Sequence, residues 1–201
     1  MSHPDRPVSR LAPEERRRQL VGIGLSLLAT KPIQQLTVEE VARTAGISRN
    51  LLFHYFSTKR EFYAEVVGAA CRRLLRATAA TSDGDPRERL TAFVDGYVGF
   101  VDRHPQSYAS VLHRTGGDDW VRDIWEDCRG QLAATVLEIL DRRRTTPLTR
   151  QAVRGWLSLV EDMTLAWSAE HTVARAALVA LLVDAAGAVV ALAERTSGGD
   201  S

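Results

Sequence analysis

Residues 36–59 read Leu-Thr-Val-Glu-Glu-Val-Ala-Arg-Thr-Ala-Gly-Ile-Ser-Arg-Asn-Leu-Leu-Phe-His-Tyr-Phe-Ser-Thr-Lys, and they decide the fold. Thr37-Val-Glu-Glu40 has the form of a capping box, the threonine hydroxyl serving the third amide of a helix and Glu40 reaching back to the cap. It predicts a short helix ending at Ala45, where Gly46 can take a left-handed turn. Ser48 is a good cap for a second short helix through about Tyr55. Thr58-Lys-Arg-Glu61 is another capping box, opening a long helix toward Arg76.

These short helices follow helix-turn-helix logic. Small Ala42 lets the second helix approach, Val41 and Ala45 face inward, Gly46 makes the turn, and Ile47 and Leu52 pack one helix on the other. In that geometry the second helix offers its first residues to the major groove of a duplex. Ser48, Arg49 and Asn50 then meet phosphates or base edges. Arg49 suits the two acceptors of guanine, and Asn50 suits adenine or a phosphate. Phe53, His54 and Tyr55 follow one turn later, and Lys59 can neutralise a phosphate beside the amides of the next helix.

On residues 36–59, with the amphipathic helix before them, the chain resembles the TetR family of transcriptional regulators. The resemblance implies an N-terminal three-helix DNA-binding domain, a larger helical ligand domain and a homodimer. It assigns backbone contacts to Thr37 and Lys59, base reading to Arg49 and Asn50, and a phosphate contact to Tyr55. Two positions depart from the pattern. Phe53 stands where a tyrosine is usual, so a hydroxyl contact is lost. Leu51 replaces a small or hydroxyl residue and is expected to favour packing over base contact.

Outward from this segment, helix signals are dense and strand signals nearly absent, so the fold class is all-α with about nine helices. A first helix is expected from Pro13 to about Thr30, with Glu14 and Glu15 at its positive end and Leu20, Ile23 and Leu27 on one face. Asp85-Pro86 with Glu88 restarts the chain after the Ser82–Pro86 break. Further helices are expected up to Pro105, from Pro105 to Leu112, from Trp120 to Arg144, from a Thr149 cap to Trp167, and from a Thr172 cap to Arg195. The domain expectation is an arm over 1–12, a helix-turn-helix domain over 13–60, a ligand-binding and dimerisation domain over 61–196, and a tail over 197–201.

With 201 residues, 45% of them apolar and 25% charged, the composition is that of a globular chain with a substantial core. A net charge of +1 names no partner, but residues 1–65 hold ten basic against seven acidic residues, leaving −2 for the rest. That is the sign expected of a nucleic-acid-binding head, and too little charge for a non-specific architectural binder. Two cysteines, Cys71 and Cys128, exclude a disulfide scaffold and fit a reducing compartment. They would form a redox switch only if their helices adjoin; isolated buried thiols are the default. The first residues lack an apolar signal core, so the expected location is cytoplasmic. His104, His113 and His171 are too scattered for a metal site, no cofactor is implied, and Arg142–Arg144 reads as a favourable helix end. No nucleophile elbow, phosphate loop or dinucleotide fingerprint occurs, so an enzyme is not expected.

From Ala176 to Ala193 only Asp184 is neither apolar nor glycine. Such a helix must be covered on most sides. It reaches the lower length of a membrane span, but Asp184 near its middle would cost about 2.5–3.5 kcal/mol in a bilayer. A better solution pairs it with the helix carrying Trp156, Leu157, Leu159, Val160 and Met163, forming four helices across a dimer. Aromatic residues in the body, namely Phe93, Tyr97, Phe100, Tyr108, His113, Trp120, Trp125, Trp156 and Trp167, are candidates to line a small-molecule pocket, a reading that the family resemblance chiefly motivates, although a helical aromatic stripe is more often core. The resulting expectation is a ligand-responsive, dimeric, sequence-specific DNA-binding regulator. It would be a repressor released from a near-palindromic double-stranded operator by a small hydrophobic effector, with an activator or a DNA-binding protein without ligand control as the alternative.

Overall fold

The computed structural model describes residues 12–31, 35–79, 84–105, 108, 119–141 and 145–198. The described residues form eight helices and no strand. We number them α1 (Pro13–Leu28), α2 (Val38–Thr44), α3 (Arg49–Tyr55), α4 (Lys59–Ala77), α5 (Pro86–Arg103), α6 (Asp119–Ile139), α7 (Pro147–Glu170) and α8 (Arg175–Gly198).

Local chemistry sets most of the boundaries. The Thr37, Ser48 and Thr58 hydroxyls accept from the amides of Glu40, Leu51 and Glu61 at 3.2, 3.1 and 3.0 Å. The reciprocal half of two expected capping boxes is redirected. Glu40 turns to Lys31 at 2.6 Å, and Glu61 takes the Ser57 amide at 2.7 Å. Asp85 and Glu88 complete the full box at the head of α5. Between α2 and α3, Gly46 has φ +67°. The Ile47 amide reaches back to the Ala42 carbonyl and the Gly46 amide to that of Arg43. This is a Schellman stop, which only a residue tolerant of the left-handed region makes without strain.

Three boundaries differ from expectation. Helix α1 ends at Leu28 and buries Leu20, Gly24 and Leu28, with Ile23 and Leu27 only half-buried, because the row facing α4 runs at intervals of four. Helix α7 is capped by Thr146, with Pro147 at its first position, and Thr149 lies buried within the first turn, donating its amide to the Thr146 hydroxyl. Helix α8 begins at Arg175 rather than beside Thr172, since the Ala174 carbonyl accepts its first amide bonds. The segment expected as a helix over 105–112 and the Arg142–Arg144 run lie mostly or wholly outside the described residues.

Helices α1–α3 form the head, and α5–α8 form the body, with α5 and α7 packed on α8 and α6 on α4 and α7. Helix α4 belongs to both, contacting α1 on one side and α5 and α6 on the other. One apolar core runs without a break from Leu20, Val41 and Leu52 through Phe62 and Val66 to Phe93 and Trp156. At the far end of α4 the α5 backbone comes so close that a Cβ on Gly96 would lie 2.0 Å from the Ala77 carbonyl oxygen. Head and body thus share a single rigid lever.

Candidate nucleic-acid interface and internal pocket

Helix α3 is pinned from behind and free in front. Leu52 is fully buried against the head, whereas Ser48, Arg49, Asn50, Leu51 and His54 are exposed. Arg49 is 60% exposed; its Nε lies 3.1 Å from the Glu39 carboxylate on α2, and its guanidinium lies 5.4 Å from the Phe53 ring. Phe53 and Tyr55 are half-buried, and the Tyr55 ring meets His54 edge-on at 5.6 Å. Lys59, exposed in the first turn of α4, has its ammonium 5.2 Å from the Tyr63 ring. Thr37 is exposed at the head of α2. The structure therefore brings Thr37, Ser48, Arg49, Asn50, His54 and Lys59 to the outer side of the head. Leu51 corrects the sequence reading: at 39% exposure it faces outward, because Leu52, not its neighbour, fills the position that packs on α2.

Two positioning residues escaped the sequence reading. Arg17 on α1 donates to the Tyr55 carbonyl at the end of α3 at 2.6 Å, binds Glu61 and Glu65 on α4 at 3.0 Å each, and lies 4.4 Å above the Phe56 ring. It joins three helices and satisfies a helix carbonyl with a cation, where the helix dipole favours one. Arg17 and the Ser57 amide hold the Glu61 carboxyl below its usual range. Tyr63 on α4 donates its hydroxyl to the Leu36 carbonyl just before α2, and burial pushes that phenol up to about 12. In sequence the only signal for Arg17 is one arginine among three in a row.

The expected aromatic pocket divides. A narrow slot is lined by Leu25 and Leu28 of α1, Val67, Ala70, Cys71, Arg73 and Leu74 of α4, Phe100 of α5, Trp125 of α6, and His104 and Tyr108. Phe100, Tyr108 and Trp125 are the expected residues that line it. Tyr97 lies behind, its hydroxyl hydrogen-bonded to that of Tyr108. Phe93 and Trp156 do not line the slot: their rings pair at 6.4 Å in the core, and the Trp156 indole donates to the Leu182 carbonyl of α8. Trp167 is likewise structural, donating to the Val173 carbonyl and packing on His171. Trp120 is buried outside the slot, and His113 lies outside the described residues. Periodicity marked these aromatics as buried but could not say against what.

The slot's polar groups are few. His104 is held below its usual pKa by burial and by the nearby Arg103 and Arg73 cations. The Trp125 indole N–H has no acceptor among the described residues. Cys71 and Cys128 are free, buried thiols on helices that adjoin, α4 and α6, and the proximity of Cys128 holds the Cys71 thiol below its usual range. Deeper in the body Glu161 and Arg129 form a buried pair at 3.0 Å. Among the described residues no cluster of three or more potential ligands could hold a metal.

An exposed polar helix held on a Schellman turn, with a cation at the start of the next helix, defines a helix-turn-helix head of the kind that docks on a DNA duplex. Residues 24–66 match the family described as bacterial regulatory proteins, tetR family, and residues 86–189, more than half the chain, match the tetracyclin repressor-like C-terminal domain. The chain belongs to the TetR family of transcriptional regulators, and it is a regulator rather than an enzyme. It is similar to the HTH-type transcriptional activator FasR of Mycolicibacterium smegmatis, 30% identical over 52% of this chain and 48% of that one. It is also similar to the HTH-type transcriptional regulator BetI of Cronobacter sakazakii, 26% identical over 75% and 78%. The chain thus spans about half the length of FasR. A tetR-family transcriptional regulator from Streptomyces coelicolor superposes with a TM-score of 0.83 at 28% identity, over 92% of this chain and 85% of that one.

Proposed function

We propose that the protein is a dimeric, sequence-specific DNA-binding repressor whose α3 enters the major groove and whose grip is relaxed by a small molecule in the slot. The observation that carries the DNA reading is the division of α3, with Leu52 buried behind and Arg49, Asn50 and His54 exposed in front. Arg49 and Asn50 read bases, Leu51 offers an apolar contact of the kind a thymine methyl accepts, and Thr37, Ser48, Tyr55 and Lys59 meet the backbone. Residues 13–60 would act as the reading head and 61–196 as the ligand and dimer body, in the cytoplasm.

The last two helices support the dimer. Helix α8 is long and apolar enough to cross a membrane, with a mean hydropathy of 2.4, yet only 39% of its apolar window is buried within the chain. Ala177, Ala180, Leu181, Ala188 and Leu192 face outward, as does Leu159 on α7. A Cβ on Gly155 or Gly187 would meet nothing within 4 Å. A second copy fits this face better than lipid does, because Asp184 lies on it, paired with Arg87 of α5 at 2.7 Å. Trp156, Leu157 and Val160, expected at the interface, are instead buried in the chain's own core.

The slot touches α1 and α4 together, so a ligand that widens it moves the lever relative to the head. Only a difference in ligand affinity between the two head spacings can drive release. Selection of bound duplexes from a random pool, followed by the mass of the complex, tests the reading. Two chains on a near-palindromic site are expected; one chain per duplex, or no preferred sequence, overturns it. FasR is named an activator, and a promoter-fusion assay with and without the protein distinguishes that outcome.

A further inference from the structure

We propose that the molecule bound by the slot is an anionic amphiphile, its apolar chain lying between α1, α4, α5 and α6 and its charged head resting on arginines of α4. This rests on the reading of the slot as the effector site and adds the chemistry of the ligand.

The slot does not stand alone. A second, open groove runs between α1 and α4 and shares Leu25 and Arg73 with it. The two cavities thus meet at one leucine and one arginine. The inner one is walled mainly by aliphatic and aromatic side chains, and its free space of about 50 Å³ holds only three to five water-sized spheres at roughly 10–15 Å³ each. That narrowness suits an unbranched chain. The outer one carries five arginines against Glu14 and Glu65. Arg17 and Arg72 reach glutamates, Arg17 at 3.0 Å and Arg72 at 3.8 Å. Arg18, Arg73 and Arg76 have no acidic partner among the described residues.

Three further observations agree. Burial, and after it the Arg103 and Arg73 cations, disfavour a charge on His104 at the slot, which sets two arginine cations near it. The Trp125 indole N–H, in a residue 7% exposed, has no acceptor among the described residues, so the slot supplies a donor that an oxygen of the ligand would satisfy. The α4 arginines of the groove are also remote from the reading face: Arg72–Arg76 lie 13–17 residues beyond Lys59, roughly 20–25 Å along α4. Their charge is therefore not accounted for by duplex phosphates at the head.

The test is calorimetric titration of the full chain, below micelle-forming concentrations, with unbranched alkyl carboxylates, alkyl phosphates, alcohols and trimethylammonium salts of eight to twelve carbons. The anions should bind at least tenfold more tightly than alcohols of equal length, and the ammonium salts least. Each added methylene should tighten binding about fourfold until the slot is full. The carboxylate-to-phosphate ratio identifies the head group. Arg73→Ala with Arg76→Ala should bring the anions down to the level of the alcohols measured on the same variant, with an unaltered circular dichroism melt. Equal binding of alcohols and anions, or indifference to the arginine pair, overturns the proposal. Arginine-dependent binding that leaves operator affinity unchanged would uphold the site and refute its effector role. An uncharged molecule that releases the operator from the slot would uphold the role and refute this chemistry.

Discussion

In the unbound protein Arg49 is tied to Glu39, and the base reading proposed for Arg49 requires that tie to break. The pair spans α2 and α3 at 3.1 Å, with side chains 60% and 56% exposed. An ion pair this open contributes about 0–1 kcal/mol, so the release of Arg49 is a small cost per head. Glu39→Gln removes that cost and a negative charge beside the duplex, and affinity should rise by up to about fivefold per head. Arg49→Ala removes the base contact proposed for this residue and should weaken specific binding by about 1–3 kcal/mol. In the double variant the gain from Glu39→Gln should shrink, because part of it is the freeing of Arg49. Fluorescence anisotropy on a selected duplex and on a scrambled one measures all four proteins. Glu39 sits in the first turn of α2, where its charge favours the helix by about 0.3–1 kcal/mol, so melting curves accompany the titrations. A loss of affinity in Glu39→Gln comparable to that in Arg49→Ala would refute the reasoning, since Glu39 would then be holding Arg49 in its reading pose.

Three other outcomes follow from the geometry. Lys59→Ala should weaken selected and scrambled duplexes alike and reduce the slope of log affinity against log salt by about 1, as read by anisotropy across a salt series. The Glu161 carboxyl is pushed up from its usual 4.5 to about 7 by burial, against the opposing Arg129 cation. The folded chain thus keeps a proton that the unfolded chain has released. The contribution of this group to stability is full below about pH 4.5 and declines toward pH 7 by on the order of 3 kcal/mol, and thermal melts of Glu161→Gln over pH 5–8 should be flatter than those of the parent. Gly96→Ala places a methyl group against the Ala77 carbonyl, which no rotamer can relieve. Overpacking of about 1–3 kcal/mol, partly offset by the helix preference for alanine of about 1 kcal/mol, should lower the melting temperature by a few degrees in calorimetry.

The head was legible in the sequence because its determinants are local. The caps Thr37, Ser48 and Thr58 and the turn at Gly46 act on amides within four residues, and Leu52 alone satisfies the spacing that packs α3 on α2. The body was legible only as helices. Thr146, Thr149 and Thr172 are all plausible caps by type, and the choice among them depends on Pro147 and on how α7 meets α8. The slot escaped because its lining comes from α1 and α4 as well as from α5 and α6, and its aromatic candidates look alike until their partners are known: Trp125 lines it, while Trp156 fills the core. Arg17 and Glu39 act across helix pairs, which no linear spacing displays.

The account depends on α3 lying in the major groove, twice per duplex. Methylation interference on a selected operator tests this directly. Methylation of guanine N7, in the major groove, should abolish binding at two twofold-related positions about 34–36 Å apart along the duplex. Arg49→Ala should erase that interference. Interference confined to adenine N3 in the minor groove, or to a single half-site, would contradict it.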